Sequence, residues 1–154
     1  MKISDCMKRN VVSIPETSTV RAAAVVFVQE HIGLLPIVNE NHNLVGVIGL
    51  RDLLSLVLPD FVNFVVDVDF VHDFGAVETT RPSEAILNQS IKFLMKPPIT
   101  VNENSGLLRA YALMLQHYLH DMPVLSEDGK LVGMASRVDI GTAIVSAWTE
   151  GGAS

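Results

Sequence analysis

Two textures of apolar residues alternate along the chain. Short runs such as VVSI (11–14), LPIV (35–38) and LVGVI (44–48) are bounded by polar turn residues and predict strands. Between the first two lies VRAAAVVFVQEH (20–31), starting at Ser18 or Thr19. Its apolar residues occupy most of a helical circumference and predict burial on more than one side. The polar stretch NENHN (39–43) turns LPIV back onto LVGVI, which runs straight into a closing helix.

The same grammar returns 87 residues later without a gap. ITV (99–101), a helix start at Ser105, LLRAYALMLQHY (107–118), MPVL (122–125), the turn SEDGK with Gly129, and LVGMA (131–135) follow one another in the same order. At this offset Glu16 falls on Glu103, Ala23 on Ala110, Gln29 on Gln116, Pro36 on Pro123, and Asp52 on Asp139. The chain therefore reads as two copies of a β-α-β-β-α unit, a mixed α/β (α+β) fold. Each copy has three short strands and two helices, which leave an apolar face for the duplicate to cover, with two equivalent clefts between the halves. The expected boundaries are 1–58, an inserted segment 59–90, and 91–154.

The insert is longer than the usual connection of about two to eight residues. Phe61, Phe64, Val65 and Val68 recur at spacings of three and four, which predicts an amphipathic helix after Pro59. Its apolar stripe packs either on its own module or on a second copy of the chain; large apolar patches usually mark interaction sites, which favours a homodimer.

Composition narrows the classes. With 154 residues and 49% hydrophobic content, the chain is long enough to bury roughly two thirds of its unfolded surface. A net charge of -6 with scattered basic residues argues against a nucleic-acid surface. Acidic residues and Pro59 interrupt the most apolar run, Leu53 to Phe70, which argues against membrane insertion. The single Cys6 and the absence of a signal-peptide pattern predict a cytoplasmic setting. No phosphate-cradling glycine loop or nucleophile elbow occurs, and the chain is expected not to be an enzyme. The histidines of HYLH and the acidic run 67–73 read as a helix end and a solvated surface rather than as a metal site.

LPIV or MPVL, the hairpin, LVGV or LVGM, and the ending Ser136-Arg137-Val138-Asp139 together resemble the CBS domain, and the tandem arrangement resembles a Bateman module. The resemblance implies a regulatory module that binds an adenosine nucleotide (AMP, ADP or ATP) between the repeats and signals occupancy to an effector protein. It implies no catalytic cofactor. By the same resemblance, Asp139 accepts from the ribose hydroxyls, and Ser136 sits beside helix N–H groups that favour phosphate. The base lies near Val12, Ile32 and Met134, and His120 falls where a phosphate-contacting histidine stands in the regulatory gamma subunit of AMP-activated kinase. Arg137 supplies charge, with Arg51 and Lys130 as lesser candidates. Met7 and Met95 lie either near the ligand or in core gaps.

The repeats differ where it matters. The first keeps Asp52 but has Gly49 in place of the hydroxyl and Gly33 in place of His120, so its cleft is expected to bind phosphate less well or to stay empty. Ser136 and Asp139 also have the spacing of a helix capping box. Against that, Asp52 persists where Gly49 has no side chain to cap with, which favours a ligand-gripping aspartate. The rival readings are a ligand-free scaffold for dimerisation and an S-adenosylmethionine binder.

Overall fold

The computed structural model describes residues 1–57 and 81–150. They form two three-stranded sheets in a mixed α+β fold. The first unit runs β1 (Ile14–Pro15), α1 (Val20–Glu30), β2 (Leu34–Val38), β3 (Leu44–Gly49) and α2 (Leu50–Leu54). After α3 (Glu84–Leu87), the second runs β4 (Val101–Asn102), α4 (Leu107–Gln116), β5 (Asp121–Leu125), β6 (Leu131–Ser136) and α5 (Arg137–Thr149). In each sheet the first strand is parallel to the second and the second antiparallel to the third. Even the register irregularity recurs, between Ile37 and Val38 and between Val124 and Leu125.

The first strands start later than predicted. Each pairs only with the last two residues of its neighbour, Ile14 with Ile37 and Val101 with Val124. Ahead of β4, Pro97 and Pro98 carry no N–H to donate to a ladder. Thr19 caps α1, its hydroxyl accepting from Ala22 N at 3.2 Å. The second repeat differs: Gly106, not Ser105, is the cap of α4, and the Ser105 carbonyl accepts from Ile3 N. Gly129 takes the positive φ its turn requires, 82°.

Ile3 shows that the two cores are built by exchange. The turn Ile3–Asp5 lies at the chain's start, yet Ile3 and Met7 are buried among Leu107, Met114, Met122 and Val124 of the second repeat. Reciprocally, Ile91 is buried with Phe27, Leu35, Ile37 and Ile48 of the first, and Leu94 and Met95 pack beside it. Backbone bonds fix both crossings. Lys8 and Met134 exchange a pair at 2.8 and 2.9 Å, and Val47 and Lys96 exchange a pair at 3.0 and 2.9 Å. Each sheet thus gains an edge residue from the segment that precedes the other repeat. A side chain at Gly133 or Gly46 would collide with Met7 or Met95 respectively, which explains the glycine of both LVG triplets. Met7 and Met95 are packing residues.

The central helices pack on more than one side, as predicted, but each keeps an exposed apolar stripe. Val20, Ala23 and Phe27 of α1 are buried, but Val28 is 74% exposed; in α4, Leu108 is 73% exposed. Beside its sheet, α4 packs against α5, and α1 packs against α2 and α3, while the outer face of each helix stays open among the described residues. Trp148 of α5 is likewise at the surface. Of the predicted insert helix, Phe61, Phe64, Val65 and Val68 lie outside the described residues, as does the acidic run 67–73. The described end, 81–90, ties to α1 through an Arg21–Glu84 ion pair and the Val20 N to Gln89 O bond.

Candidate functional site

Both motif aspartates are engaged locally. At the start of α5, Asp139 N donates to Ser136 Oγ at 3.0 Å, and Ser136 N donates to Asp139 Oδ2 at 3.1 Å, a complete capping box. At α2, Gly49 N donates to Asp52 Oδ2 at 2.7 Å, which keeps half of that box without a cap side chain. The persistence of Asp52 therefore has a local cause, and the inference from persistence to ligand gripping is corrected. The helix entrance is also less open than expected, because Arg137 N already donates to the His120 carbonyl at 3.0 Å.

The exchanged segments bring a lysine to each aspartate. Lys96 Nζ lies 2.5 Å from Asp52 Oδ1, and Lys8 Nζ lies 3.9 Å from Asp139 Oδ2. The two sites are not equivalent. Asp52 has one oxygen held by the backbone and the other by Lys96. Asp139 meets both its partners through Oδ2, and among the described residues Oδ1 accepts no hydrogen bond. Asp139 is the aspartate with acceptor capacity left.

On the Asp139 side, a cavity of about 240 Å³ opens between the repeats. Val12 and Ile32 of the first repeat and Met134 of the second give it apolar walls. Lys8, Asn10 and Asp121 give it polar ones. His31, also on its wall, ends α1 in the left-handed region at φ 52°, as Tyr118 does at φ 56° in the second repeat. Burial pushes the Asp121 carboxyl above its usual range; Asp139 adds to this, while Lys8 and His120 oppose it. Cys6 is raised too, by burial first and then by Asp139 and Asp5.

Val12, Ile32 and Met134 are thus brought together. Ser136 and Asp139 do not line the cavity; Asp139 adjoins it through Lys8. His120 is exposed and does not line it either, whereas its repeat counterpart Gly33 does. Arg137 turns its Nε to the Leu119 carbonyl, and Lys130 ties the two hairpins through Asn41 O at 2.8 Å and Asn43 Oδ1 at 2.9 Å. Neither side chain lines the cavity. Lys8, Asn10 and Asp121 were missed from sequence. The doublet Met-Lys at 7–8 and 95–96 was the available signal for the lysine.

A cleft shared by two β-α-β-β-α units defines the class. Residues 3–59 and 90–146 each match the CBS domain model, and the chain belongs to that family as a tandem pair. It is similar to the chloroplastic CBS domain-containing protein CBSX2 of Arabidopsis thaliana, 26% identical over 143 residues, covering 86% of this chain and 58% of that one. It also resembles part of homoserine O-acetyltransferase from Methanocorpusculum labreanum, at 28% identity over 134 residues. That match covers 87% of this chain and only 22% of the enzyme, so the pair also occurs as a small part of larger catalytic proteins. The chain spans less than two thirds of either relative. Among solved structures, the complex of CBSX2 with AMP superposes with a TM-score of 0.70 at 25% identity, covering 96% of this chain and 98% of that one. Among the described residues, no helix is long and apolar enough to cross a membrane.

Proposed function

We propose that this chain is a regulatory module that binds an adenosine nucleotide in the Lys8–Asp139 cleft and is itself not a catalyst. The observation that carries the reading is the cavity walled by both repeats, with Val12 and Ile32 facing Met134 and an aspartate with a free oxygen beside it. The AMP complex of CBSX2, a similar CBS pair, supports the ligand class. In this reading the base lies among the apolar walls and Asp139 Oδ1 accepts from the ribose. Ser136 contributes mainly by holding Asp139 in place. Because both repeats supply wall, a ligand bridging them binds one relative orientation better than another, which is the requirement for signalling occupancy. The exposed apolar faces of α1, α4 and α5 support a homodimer or an effector protein as the receiver.

The scaffold reading has one observation in its favour, the full engagement of Asp52 by Gly49 and Lys96. It applies to that cleft alone. A thermal-shift and calorimetric panel of adenosine, AMP, ADP, ATP and S-adenosylmethionine separates the two. A ligand at one hundred times its Kd stabilises by about 2.7 kcal/mol, and a flat response to every compound at millimolar concentration rejects the sensor.

A further inference from the structure

The polar groups of this cleft are unusual company for a phosphate chain. Among the described residues, Lys8 is the only lysine or arginine on the cavity wall, and it already faces Asp139. Arg137, whose Nε donates to the Leu119 carbonyl, and Lys130, which ties the two hairpins, do not line the cavity. Against this one ammonium stand two carboxylates, Asp121 on the wall and Asp139 next to it. Gly33 lies against Asp121, since a Cβ there would stand 3.6 Å from Asp121 Oδ2. The backbone donors at the entrance of α5 that would attract an anion are partly occupied, by His120 O and Ser136 Oγ. The volume of about 240 Å³ also lies below the roughly 300 to 1,000 Å³ of common ligand pockets.

Resting on the adenosyl reading of the same site, we propose that Asp121 is a specificity-determining residue that makes the cleft select adenosyl ligands of low negative charge and reject polyphosphates. The ligand class is adenosine carrying at most one phosphate or a cationic 5′ substituent. One phosphate can be matched by Lys8; each further phosphate adds negative charge in a small cavity whose one ammonium already stands between Asp121 on the wall and Asp139 beside it. Like charges several ångströms apart in a partly screened site repel by about 1.4 kcal/mol, which is tenfold in affinity.

Titration calorimetry of the full chain with adenosine, AMP, ATP and S-adenosylmethionine tests this, for the wild type and for Asp121→Asn. The wild type should bind AMP at least tenfold more tightly than ATP. Asp121→Asn should tighten ATP about tenfold, tighten AMP less, weaken S-adenosylmethionine, and leave adenosine within twofold. Wild-type ATP binding equal to or tighter than AMP overturns the proposal, and so does a variant that shifts adenosine as much as ATP. The wild-type ratio decides the matter even if the variant does not fold. Failure of adenosine and all its derivatives to bind removes the underlying sensor reading. Binding of adenosine and AMP without discrimination against ATP removes the selectivity alone.

Discussion

Asp52 and Asp139 lie in the first turns of α2 and α5, just past copies of one strand, and each receives a lysine from the segment preceding the other repeat. Yet Asp52 uses both oxygens within the protein, whereas Asp139 keeps Oδ1 open beside a cavity. The difference arises in the approach of the lysine. Lys96 follows the same turn as Lys8 but sits one residue closer to its first strand when the repeats are aligned, and it closes on Asp52 to 2.5 Å where Lys8 stands 3.9 Å from Asp139. A duplicated turn can therefore serve as a latch in one copy and as the edge of an open cavity in the other, without a change in the aspartate.

The strongest way to break this comparison is to undo the exchange. Ile3→Ala and Ile91→Ala each remove a fully buried side chain and should each cost about 2 to 5 kcal/mol, measured by denaturant unfolding. Hydrogen exchange should place the loosening in the opposite repeat, β5 and β6 for Ile3→Ala and β2 and β3 for Ile91→Ala. Loosening confined to the variant's own repeat would contradict the exchanged cores.

Asp139→Ala should weaken AMP by about ten- to a hundredfold in calorimetry, because charge-assisted acceptor bonds are lost, while Asp52→Ala should matter less. Ser136→Ala refines the result. Losing a cap costs about 1 kcal/mol of stability, and its effect on affinity should be smaller than that of Asp139→Ala.

Lys8→Met and Lys96→Met sharpen the contrast further. Both ammonium groups are largely exposed, so each variant should lose less than about 1 kcal/mol of stability. Only Lys8→Met should weaken AMP relative to adenosine in a titration. Equal losses from both would mean that the two clefts are functionally alike.

The smallest expected effect is electrostatic. Burial raises the Asp121 carboxyl above its ordinary value of 3.8, so the folded state holds that proton more tightly than the unfolded chain does. The stability it contributes is present below the ordinary value and is lost as pH rises through the folded one. Asp121→Asn should therefore melt higher than the wild type at neutral pH, with the difference shrinking in acid. Thermal melts across a pH series measure it.

Much of the fold was legible because periodicity and repetition are local signals. The strand LPIV, the turn at Gly129 and the fall of LVGMA into α5 follow from apolar runs, a glycine that accepts positive φ, and a hydroxyl that caps a helix. The exchange of Ile3 and Ile91 was not legible. The 87-residue offset slips by one between Lys8 and the first strand, so Met7-Lys8 and Met95-Lys96 fall out of register. The glycine shared by both LVG triplets was visible, but its reason, a methionine from a distant segment lying over it, was not. Within the site, Val12, Ile32 and Met134 were grouped from the family resemblance, and the structure brings them to one cavity. Arg137 was suggested by its place in the motif, Lys130 by the hairpin and His120 by the family resemblance, none of which carries information on side-chain direction; they turn to carbonyls or lie away from the cavity. Asp121 begins an ordinary strand, and only the packing of β2 against β5 brings it to the cleft.

The most direct measurement is the location of AMP in a cocrystal of this chain. The nucleotide should lie between Ile32 and Met134, with its ribose on Asp139 Oδ1 and its phosphate toward Lys8, and it should fill this cleft before the one beside Asp52. AMP bound first at Asp52 and Lys96, or crystals that stay free of nucleotide at saturating concentration, would contradict the division between an open aspartate and a latched one.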